Sequence, residues 1–310
     1  MEEIKHPIAA SIFTALKKIL QGKEKATKEA LICFFSKGHL LIEDLPGVGK
    51  TLMALGLSKI TSLSFSRIQC TSDMLPSDIT GITVYNQHQG NFEFKPGPIF
   101  SNVVLVDEIN RAMPKTQSAL LEAMGERQVT VDGKTHSLPE PFFLIATQNP
   151  LEFYGTFPLP ESQLDRFAMK ISIGYPRKST LIEILKRGDE SPKIKELEPL
   201  TDREQVLKLQ KEAEEIFVSD KIYGYIADIA EAVKENPHVS APLSIRASLQ
   251  LLSCAKTNAL FKGRDFVIPE DVKELAVSVI AHRLIVKTES FKTSKKELTQ
   301  LILEEVPVPV

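Results

Sequence analysis

The sequence predicts an α/β protein in which a parallel β-sheet lies between helices, followed by a C-terminal region built of helices alone. Three observations favour this fold class. A glycine-rich loop at residues 43–51 stands between an apolar run and a helical pattern. Two later apolar runs, 103–106 and 142–147, have the character of buried parallel strands. After Pro176 the pattern changes to helical periodicity with polar connections.

Length and composition indicate a globular protein of roughly two domains. The 310 residues are 43% hydrophobic and 25% charged, which suffices for a sizeable core. The net charge of −2 gives no reason to expect nucleic acid as the main partner. We expect no membrane span, because no run of 18 apolar residues occurs, and the first residues do not resemble a signal peptide. Cys33, Cys70 and Cys254 lack metal-ligand spacing and favour a reducing cytoplasm over a disulfide scaffold.

The glycine-rich loop follows the pattern of a phosphate-binding loop, G-x-x-x-x-G-K-[ST], preceded by a strand and followed by a helix. Gly47 and Gly49 leave room for backbone N–H groups around a polyphosphate, and the helix N-terminus adds partial positive charge. Lys50 can reach the outer phosphates, and Thr51 can place its hydroxyl on Mg²⁺. The residues expected to bind the nucleotide are Pro46, Gly47, Val48, Gly49, Lys50, Thr51 and Leu52.

One position departs from the loop pattern, because Asp44 replaces the first glycine. Aspartate adopts the left-handed backbone conformation more readily than most residues, so we expect the loop to remain functional. The alternative interpretation of the whole segment is a glycine-rich turn with an incidental lysine.

The remaining elements of the first domain follow in order. Residues 6–37 carry two helical patterns separated at 21–24, where Gly22 forms a turn or, alternatively, lies near an adenine. A strand is expected at 65–70 and another at 169–173. Two β-hairpins are predicted, one at 81–95 and one from 128 that turns at Asp132-Gly133.

The C-terminal region is predicted to be helical, with a domain boundary between Tyr175 and Leu200. The proposed division is 1–178 for the α/β core with its N-terminal helices, 179–200 for a linker and 201–310 for an all-helical domain. Two capping boxes are expected to begin helices in this region, Thr201 with Glu204 and Ser294 with Glu297.

Polar residues at the ends of two apolar strands are candidates for catalysis. Asp107 would hold Mg²⁺, and Glu108 would polarise a water molecule for attack on the γ-phosphate. Asn149 could orient the same water from the end of the next strand. The alternatives are a surface turn for the two acids and a turn asparagine before proline for Asn149.

The order of these motifs resembles that of AAA+ ATPases and, within them, of the MoxR family. The resemblance covers nearly the whole chain and rests on residues 41–51, 106–112, 146–150, 164–167 and 244–247. In family terms they are similar to Walker A, Walker B, sensor 1, an arginine finger and sensor 2. The hairpins resemble two inserts of that clade, and residues 201–310 would be the lid. Asp44 occurs commonly in the family's own loop, whereas Ile245 stands where a proline is frequent.

The resemblance implies an ATP- and Mg²⁺-dependent ATPase that forms a homo-oligomeric ring, expected to be a hexamer. Arg166 would act on the nucleotide of a neighbouring subunit, and an intrachain salt bridge near Asp165 is its alternative role. Arg246, in the first turn of a helix capped by Ser244, would point at phosphate in its own or a neighbouring subunit. Arg111 is expected at an interface or in a structural contact. The family also implies a protein client that needs maturation or metal insertion, often with a von Willebrand factor A domain partner.

Two other functions remain open at the level of sequence. A DNA-acting motor related to helicases would require basic hairpin tips, but the tips at 86–89 and 132–134 contain a single lysine. A nucleotide switch without useful turnover would not require Glu108. A third candidate, a small-molecule kinase, is excluded by the architecture, because it would not need the late arginines Arg166 and Arg246.

Overall fold

The computed structural model describes residues 4–151, 155–187, 194, 197–287 and 294–309. Within these residues a five-stranded parallel sheet has the order β2-β5-β8-β1-β9. Its strands are β1 Leu40–Glu43, β2 Phe65–Gln69, β5 Val103–Asp107, β8 Phe143–Gln148 and β9 Met169–Ile171. The fold class predicted from the sequence is confirmed.

The register of the sheet brings the polar strand ends together at one edge. Glu43 on β1 lies opposite Gln148 on β8, and Gln69 on β2 lies opposite Asp107 on β5. Ligands of open α/β sheets bind outside the carboxyl ends of the strands. The topology therefore places the glycine-rich loop, the two acids and the polar end of β8 around one crevice.

Twelve α-helices occur among the described residues. The first three are α1 Pro7–Ile19, α2 Glu24–Phe35 and α3 Lys50–Ile60, followed by α4 Pro76–Thr80, α5 Pro114–Glu126, α6 Glu161–Leu164 and α7 Lys178–Arg187. The C-terminal helices are α8 Arg203–Glu215, α9 Asp220–Glu235, α10 Ile245–Phe261, α11 Pro269–Ile280 and α12 Lys295–Glu305. Short 3-10 helices occupy Ile109–Arg111 and Ala281–Arg283.

The buried side chains form two apolar clusters, one on each face of the sheet. Alternate residues of a strand point to opposite faces, so Leu40 and Ile42 belong to one cluster while Leu41 belongs to the other. The first cluster joins the sheet to the N-terminal helices, α3 and the C-terminal helices. The second joins it to α5 and to the base of the hairpins. The helical region thus shares a continuous core with the sheet.

Both predicted hairpins are present, and they contact each other. The first pairs β3 Gly81–Asn86 with β4 Asn91–Pro96, and the second pairs β6 Gln128–Val131 with β7 Lys134–Ser137. Asp132 and Gly133 have φ of 49° and 75°, as the predicted turn requires. The rings of Phe94 and His136 stack with centroids 3.9 Å apart, which joins the two hairpins.

The structure differs from two local expectations in the C-terminal half. The capping box that begins α8 consists of Asp202 and Gln205, one residue later than predicted, because the Asp202 carboxylate accepts the Gln205 N–H at 2.9 Å. The predicted box of Ser294 and Glu297 is confirmed. The stretch expected as a linker contains the helix α7. In the part of the chain described here, no helix is long and apolar enough to cross a membrane.

Candidate active site

A cavity of about 380 Å³ lies at the carboxyl edge of the sheet. Its lining combines the glycine-rich loop with polar residues from β2, β5 and β8. The residues that line it are Pro46, Gly47, Gly49, Lys50, Thr51, Leu52, Arg67, Gln69, Asp107, Glu108, Thr147 and Asn149. Of the seven residues expected to bind nucleotide, Val48 alone is outside this lining, and its side chain packs against the apolar core.

The loop has the backbone geometry that a phosphate site needs. Gly47 and Gly49 have φ of 79° and 103°, which an L side chain adopts only with strain, and α3 begins at Lys50. The Lys50 ammonium donates to the Asp44 carbonyl at 2.5 Å. Partial burial lowers the pKa of Lys50, while the carboxylates of Asp44, Asp107 and Glu108 act in the opposite direction. The hydrogen bond to Asp44 holds the Lys50 ammonium at the loop, on the side of Asp107 and Glu108.

Asp44 does not use the left-handed conformation that aspartate tolerates. Within the loop, positive φ occurs at Gly47 and Gly49, and Asp44 is not among the described residues with positive φ. Its buried carboxylate instead accepts hydrogen bonds from the Ser172 hydroxyl at 2.8 Å and from the backbone N–H groups of Ile173 and Gly174. Asp44 therefore fixes the start of the loop to the segment after β9. The backbone at this position does not need the conformational freedom of the glycine that the general loop pattern has there.

Asp107 and Glu108 each have a defined set of partners. The Asp107 carboxylate forms an ion pair with Arg67 at 2.7 Å and accepts the Thr147 hydroxyl at 3.1 Å. Gln69 donates to the Glu108 carboxylate at 3.0 Å. Glu108 has φ of 55°, so the chain turns sharply there, and its backbone N–H donates to the Thr147 hydroxyl at 3.0 Å. From the neighbouring strand, Thr147 thus contacts the carboxylate of Asp107 and the backbone of Glu108.

Arg111 makes an intrachain contact at the edge of this group. Its Nε lies 2.8 Å from the Glu108 carboxylate. Glu108 is consequently held from two sides, by the Gln69 amide and the Arg111 guanidinium. The structural role expected for Arg111 agrees with this ion pair.

The donor atoms around the cavity suit Mg²⁺. The Thr51 hydroxyl and the Asp107 carboxylate line the same cavity as the loop, with Glu108 beside them. Magnesium prefers oxygen ligands and is bound in such sites by one or two protein groups together with substrate phosphates and water. The residues present therefore fit this ion, with Thr51 and Asp107 as the groups that would hold it.

Asn149 lines the cavity and also takes part in a turn. Its side-chain oxygen accepts the Leu151 N–H at 3.1 Å, which is the turn role considered as an alternative. This bond uses the carbonyl oxygen and leaves the amide NH₂ as a donor group. The two roles are compatible, since the turn fixes the side chain at the end of β8.

Arg166 and Arg246 are not among the described residues that line the cavity. Arg166 Nη1 donates to the Leu121 carbonyl at 2.7 Å. The salt bridge considered for Arg166 is made by two other arginines, because Arg283 Nε lies 3.0 Å and Arg246 Nη1 lies 3.2 Å from the Asp165 carboxylate. Ser244 caps α10 by accepting the Ala247 N–H at 3.0 Å, as expected, so Arg246 lies in the first turn.

Sequence reasoning missed three residues of the cavity, Arg67, Gln69 and Thr147. Arg67 and Gln69 are two apart on β2 and therefore point to the same face of the strand. That spacing is visible in the sequence, but which strand would lie beside β2 is a property of the topology. The register of β2 against β5 then brings both side chains to the acids.

This fold and this site define a P-loop nucleotide-binding protein with a helical C-terminal domain. Residues 39–169 match the family model described as "ATPase family associated with various cellular activities (AAA)", and residues 232–305 match an AAA lid domain. The chain belongs to the MoxR family of AAA+ ATPases.

Several known proteins are similar over the whole chain. Chaperone MoxR1 of Mycobacterium tuberculosis is 38% identical, with 98% of this chain and 83% of the relative covered. Protein YeaC of Bacillus subtilis, described as uncharacterized, is 43% identical, with 100% and 97% covered. The crystal structure of a proposed ATPase from Cytophaga hutchinsonii superimposes with a TM-score of 0.86 at 37% identity, covering 98% of this chain and 97% of that one. These similarities support ATPase activity in general.

Proposed function

We propose that this protein hydrolyses ATP with Mg²⁺ in a ring of identical subunits and uses the energy to remodel a protein client. One observation carries the proposal. A single cavity brings together the phosphate-loop residues Lys50 and Thr51 and the acids Asp107 and Glu108. This is the set of groups that binds a triphosphate and activates water for in-line displacement.

Separate groups would bind the phosphates, accept the proton and orient the attacking water. Backbone N–H groups of the loop and the N-terminus of α3 would bind the phosphates, and the Lys50 ammonium would bind their outer oxygens. Glu108 is the group that would accept a proton from the attacking water, and Gln69 holds its carboxylate at the cavity. Asn149 would donate its amide N–H to the same water. Bound Mg²⁺ would supply charge neutralisation at the phosphate oxygens.

The arginines complete the site from a neighbouring subunit. Arg166 and Arg246 lie outside the described lining of their own cavity, which agrees with a role in trans. In other NTPases an arginine supplied to the transferring phosphoryl group raises the rate by about 10³ to 10⁵. A site completed in this way joins one face of a subunit to a different face of its neighbour, and such an interface forms a closed ring when the rotation between subunits permits. We propose that it does so here. We expect six subunits.

The hairpins support a protein client over DNA. On the first hairpin the exposed rings of Tyr85 and Phe92 pack edge to face with centroids 5.3 Å apart. Such a surface binds apolar side chains, whereas nucleic-acid affinity depends on lysine and arginine contacts to phosphate. The turn residues 87–90 include neither lysine nor arginine. We extend the proposal to maturation or metal insertion of a protein complex in the cytoplasm, with a von Willebrand factor A domain protein as a partner.

The catalytic part of the proposal is tested by phosphate release from ATP. Glu108→Gln should lower turnover by at least about 10²-fold while ATP binding is retained, since the amide cannot accept the proton. The matched control is Glu204→Gln, the same change at an exposed carboxylate on α8, which should leave turnover unchanged. Equal rates for Glu108→Gln and the parent protein would refute hydrolysis at this site and favour a nucleotide switch.

Shared sites are tested by mixing two inactive variants. Arg166→Ala retains an intact cavity, and Lys50→Ala retains an intact Arg166. In a random equimolar ring about one quarter of the interfaces combine both intact parts, so about a quarter of parental turnover should return. In the control mixture, Arg166→Ala is combined with a double variant that carries both Lys50→Ala and Arg166→Ala. No turnover should return in this mixture, because neither subunit has an intact Arg166. Unchanged turnover of Arg166→Ala alone would refute the role of this arginine.

A further inference from the structure

We infer that Asp165 is a positioning residue that holds Arg246 of the lid next to Arg166, so that both arginines reach a neighbouring nucleotide as one unit. The inference rests on the proposed function, since it assumes that both arginines act on ATP. Beyond that function, it assigns a role to Asp165 and identifies a link between the lid and the sheet domain.

The Asp165 carboxylate divides its contacts between its two oxygens. Oδ1 accepts the Ser244 hydroxyl at 2.7 Å and Arg283 Nε at 3.0 Å. Oδ2 accepts Arg246 Nη1 at 3.2 Å. All three donors belong to the C-terminal helical region, whereas Asp165 ends α6 immediately before Arg166. One carboxylate thus joins the start of α10 to the segment that carries the proposed arginine finger.

Arg283 fixes the other side of this junction. Its guanidinium is buried, and it donates to the backbone carbonyls of Phe167 at 2.5 Å, Ala168 at 3.2 Å and Asp165 at 3.2 Å. It also donates to the Val279 carbonyl and to the Gln250 side chain. Because a guanidinium has five N–H donors in a rigid fork, it can hold a turn of backbone in one conformation. Arg283 thus anchors residues 165–168 to the lid independently of Arg246.

Arg166 and Arg246 differ in how they are held. Arg166 donates to the Leu121 carbonyl, and its Nη1 passes so close to Gly125 that a Cβ there would lie 2.4 Å away. Arg246 is held by one N–H on an exposed face, with half of its side chain accessible to solvent. Ion pairs of this kind contribute little to stability, so phosphate can replace the carboxylate as the partner of Arg246. The contacts of Oδ1 remain when Arg246 leaves.

Because its two oxygens contact different groups, Asp165 can act on Arg246 separately from its other partners. It keeps the Arg246 side chain oriented before a neighbouring phosphate arrives, which reduces the conformational entropy lost on binding. Neutralising Asp165 removes its ion pairs with both Arg246 and Arg283. Arg283 keeps its hydrogen bonds to the backbone carbonyls of residues 165, 167 and 168, whereas the exposed Arg246 loses its contact with Asp165. Loss of a purely structural clamp would lower stability without linking its effect to Arg246.

The test compares Asp165→Asn, Arg246→Ala and the double variant. The asparagine oxygen can still accept from Ser244 and Arg283, so the fold should persist at the assay temperature. The thermal midpoint should fall, because the buried Arg283 guanidinium loses its anionic partner. We expect the kcat of Asp165→Asn to fall about tenfold, with no further loss on adding Asp165→Asn to Arg246→Ala. The matched control is Glu161→Gln, an exposed carboxylate on the same helix, which should leave kcat unchanged.

A second readout needs no nucleotide. Amide hydrogen exchange in residues 245–249 of Asp165→Asn should match that of the parent, because the amide oxygen keeps the contact with Ser244 at the start of α10. Faster exchange would show that the substitution disturbs the helix and not the Arg246 side chain alone, and would overturn the inference. Parental kcat in Asp165→Asn together with a reduced kcat in Arg246→Ala would overturn this inference alone. Independent, multiplicative losses in the double variant would also overturn it. Parental kcat in Lys50→Ala, by contrast, would overturn the proposed function itself.

Discussion

Replacing Asp44 by glycine restores the general phosphate-loop pattern, and the structure predicts that this change destabilises the protein. The pattern treats the position as one that requires backbone freedom. Asp44 does not have positive φ, and its carboxylate accepts three groups from the segment after β9, namely the Ser172 hydroxyl and the N–H groups of Ile173 and Gly174. Asp44→Gly removes these acceptors and adds flexibility to the unfolded chain.

The size of the effect follows from burial. Ile173 is buried, so its N–H loses a charged acceptor without ready access to water, at a cost of about 1.5 to 3 kcal/mol. Ser172 is exposed, so its hydroxyl can bond to water instead. Together with about 0.5 to 1 kcal/mol for the glycine, the free energy of unfolding should fall by about 3 kcal/mol. At about 2.1 cal/mol/K per residue, this corresponds to about 5 °C in the thermal midpoint.

Urea unfolding followed by circular dichroism measures this difference directly. Asp44→Asn is the matched control, because the amide keeps one acceptor oxygen of similar position, and its loss should be intermediate. If Asp44→Gly unfolds at the parental urea concentration, the assignment of Asp44 as the anchor of the loop to the β9 segment is refuted.

Three further predictions concern residues around the sheet. Burial lowers the pKa of His39 from 6.5 to about 4, so the unfolded chain binds more protons and stability should fall by up to about 3 kcal/mol between pH 6.5 and pH 4. Urea titrations over this range should show a smaller loss in His39→Gln than in the parent, and the loss that remains includes the contribution of buried His282, whose pKa burial also lowers. Equal losses in the two proteins would contradict the assignment to His39. Thr147→Val removes the hydroxyl that contacts the Asp107 carboxylate and the Glu108 backbone, and phosphate release should fall about tenfold with unchanged secondary structure; parental turnover would contradict this. Arg67→Gln frees Asp107 from its ion pair with Arg67, which competes with Mg²⁺ for the carboxylate. Half-maximal turnover should therefore require less Mg²⁺ in a magnesium titration, and a higher requirement would contradict competition between Arg67 and Mg²⁺ for Asp107.

The local parts of the fold were predictable because single segments determine them. The apolar run of β5, the Asp132-Gly133 turn and the glycines of the loop each follow from side-chain period or backbone conformation. The same holds for Lys50, Thr51, Asp107 and Glu108, whose identities and spacing specify a chemistry. These residues lie together in the structure because parallel strands end at one edge of the sheet.

The remaining features depend on contacts between distant segments. Arg67 reaches Asp107 only through the register of β2 against β5. Arg283 approaches Asp165 because the lid packs against the segment before β9. The contacts of Asp44 were not predictable for the same reason, since its carboxylate oxygens accept hydrogen bonds from a segment 128 to 130 positions later. The capping box of α8 was misplaced by one residue, because neighbouring polar residues offer alternatives that local pattern does not separate.

Isothermal titration calorimetry of ATP with Mg²⁺ into the Glu108→Gln protein examines the cavity most directly. Binding of one nucleotide per intact cavity should be observed, and Lys50→Ala in the same background should weaken the affinity by at least about 10²-fold, because the outer phosphates lose their cation. Absence of binding to Glu108→Gln, or equal affinity with Lys50→Ala, would contradict the assignment of this cavity as the ATP site.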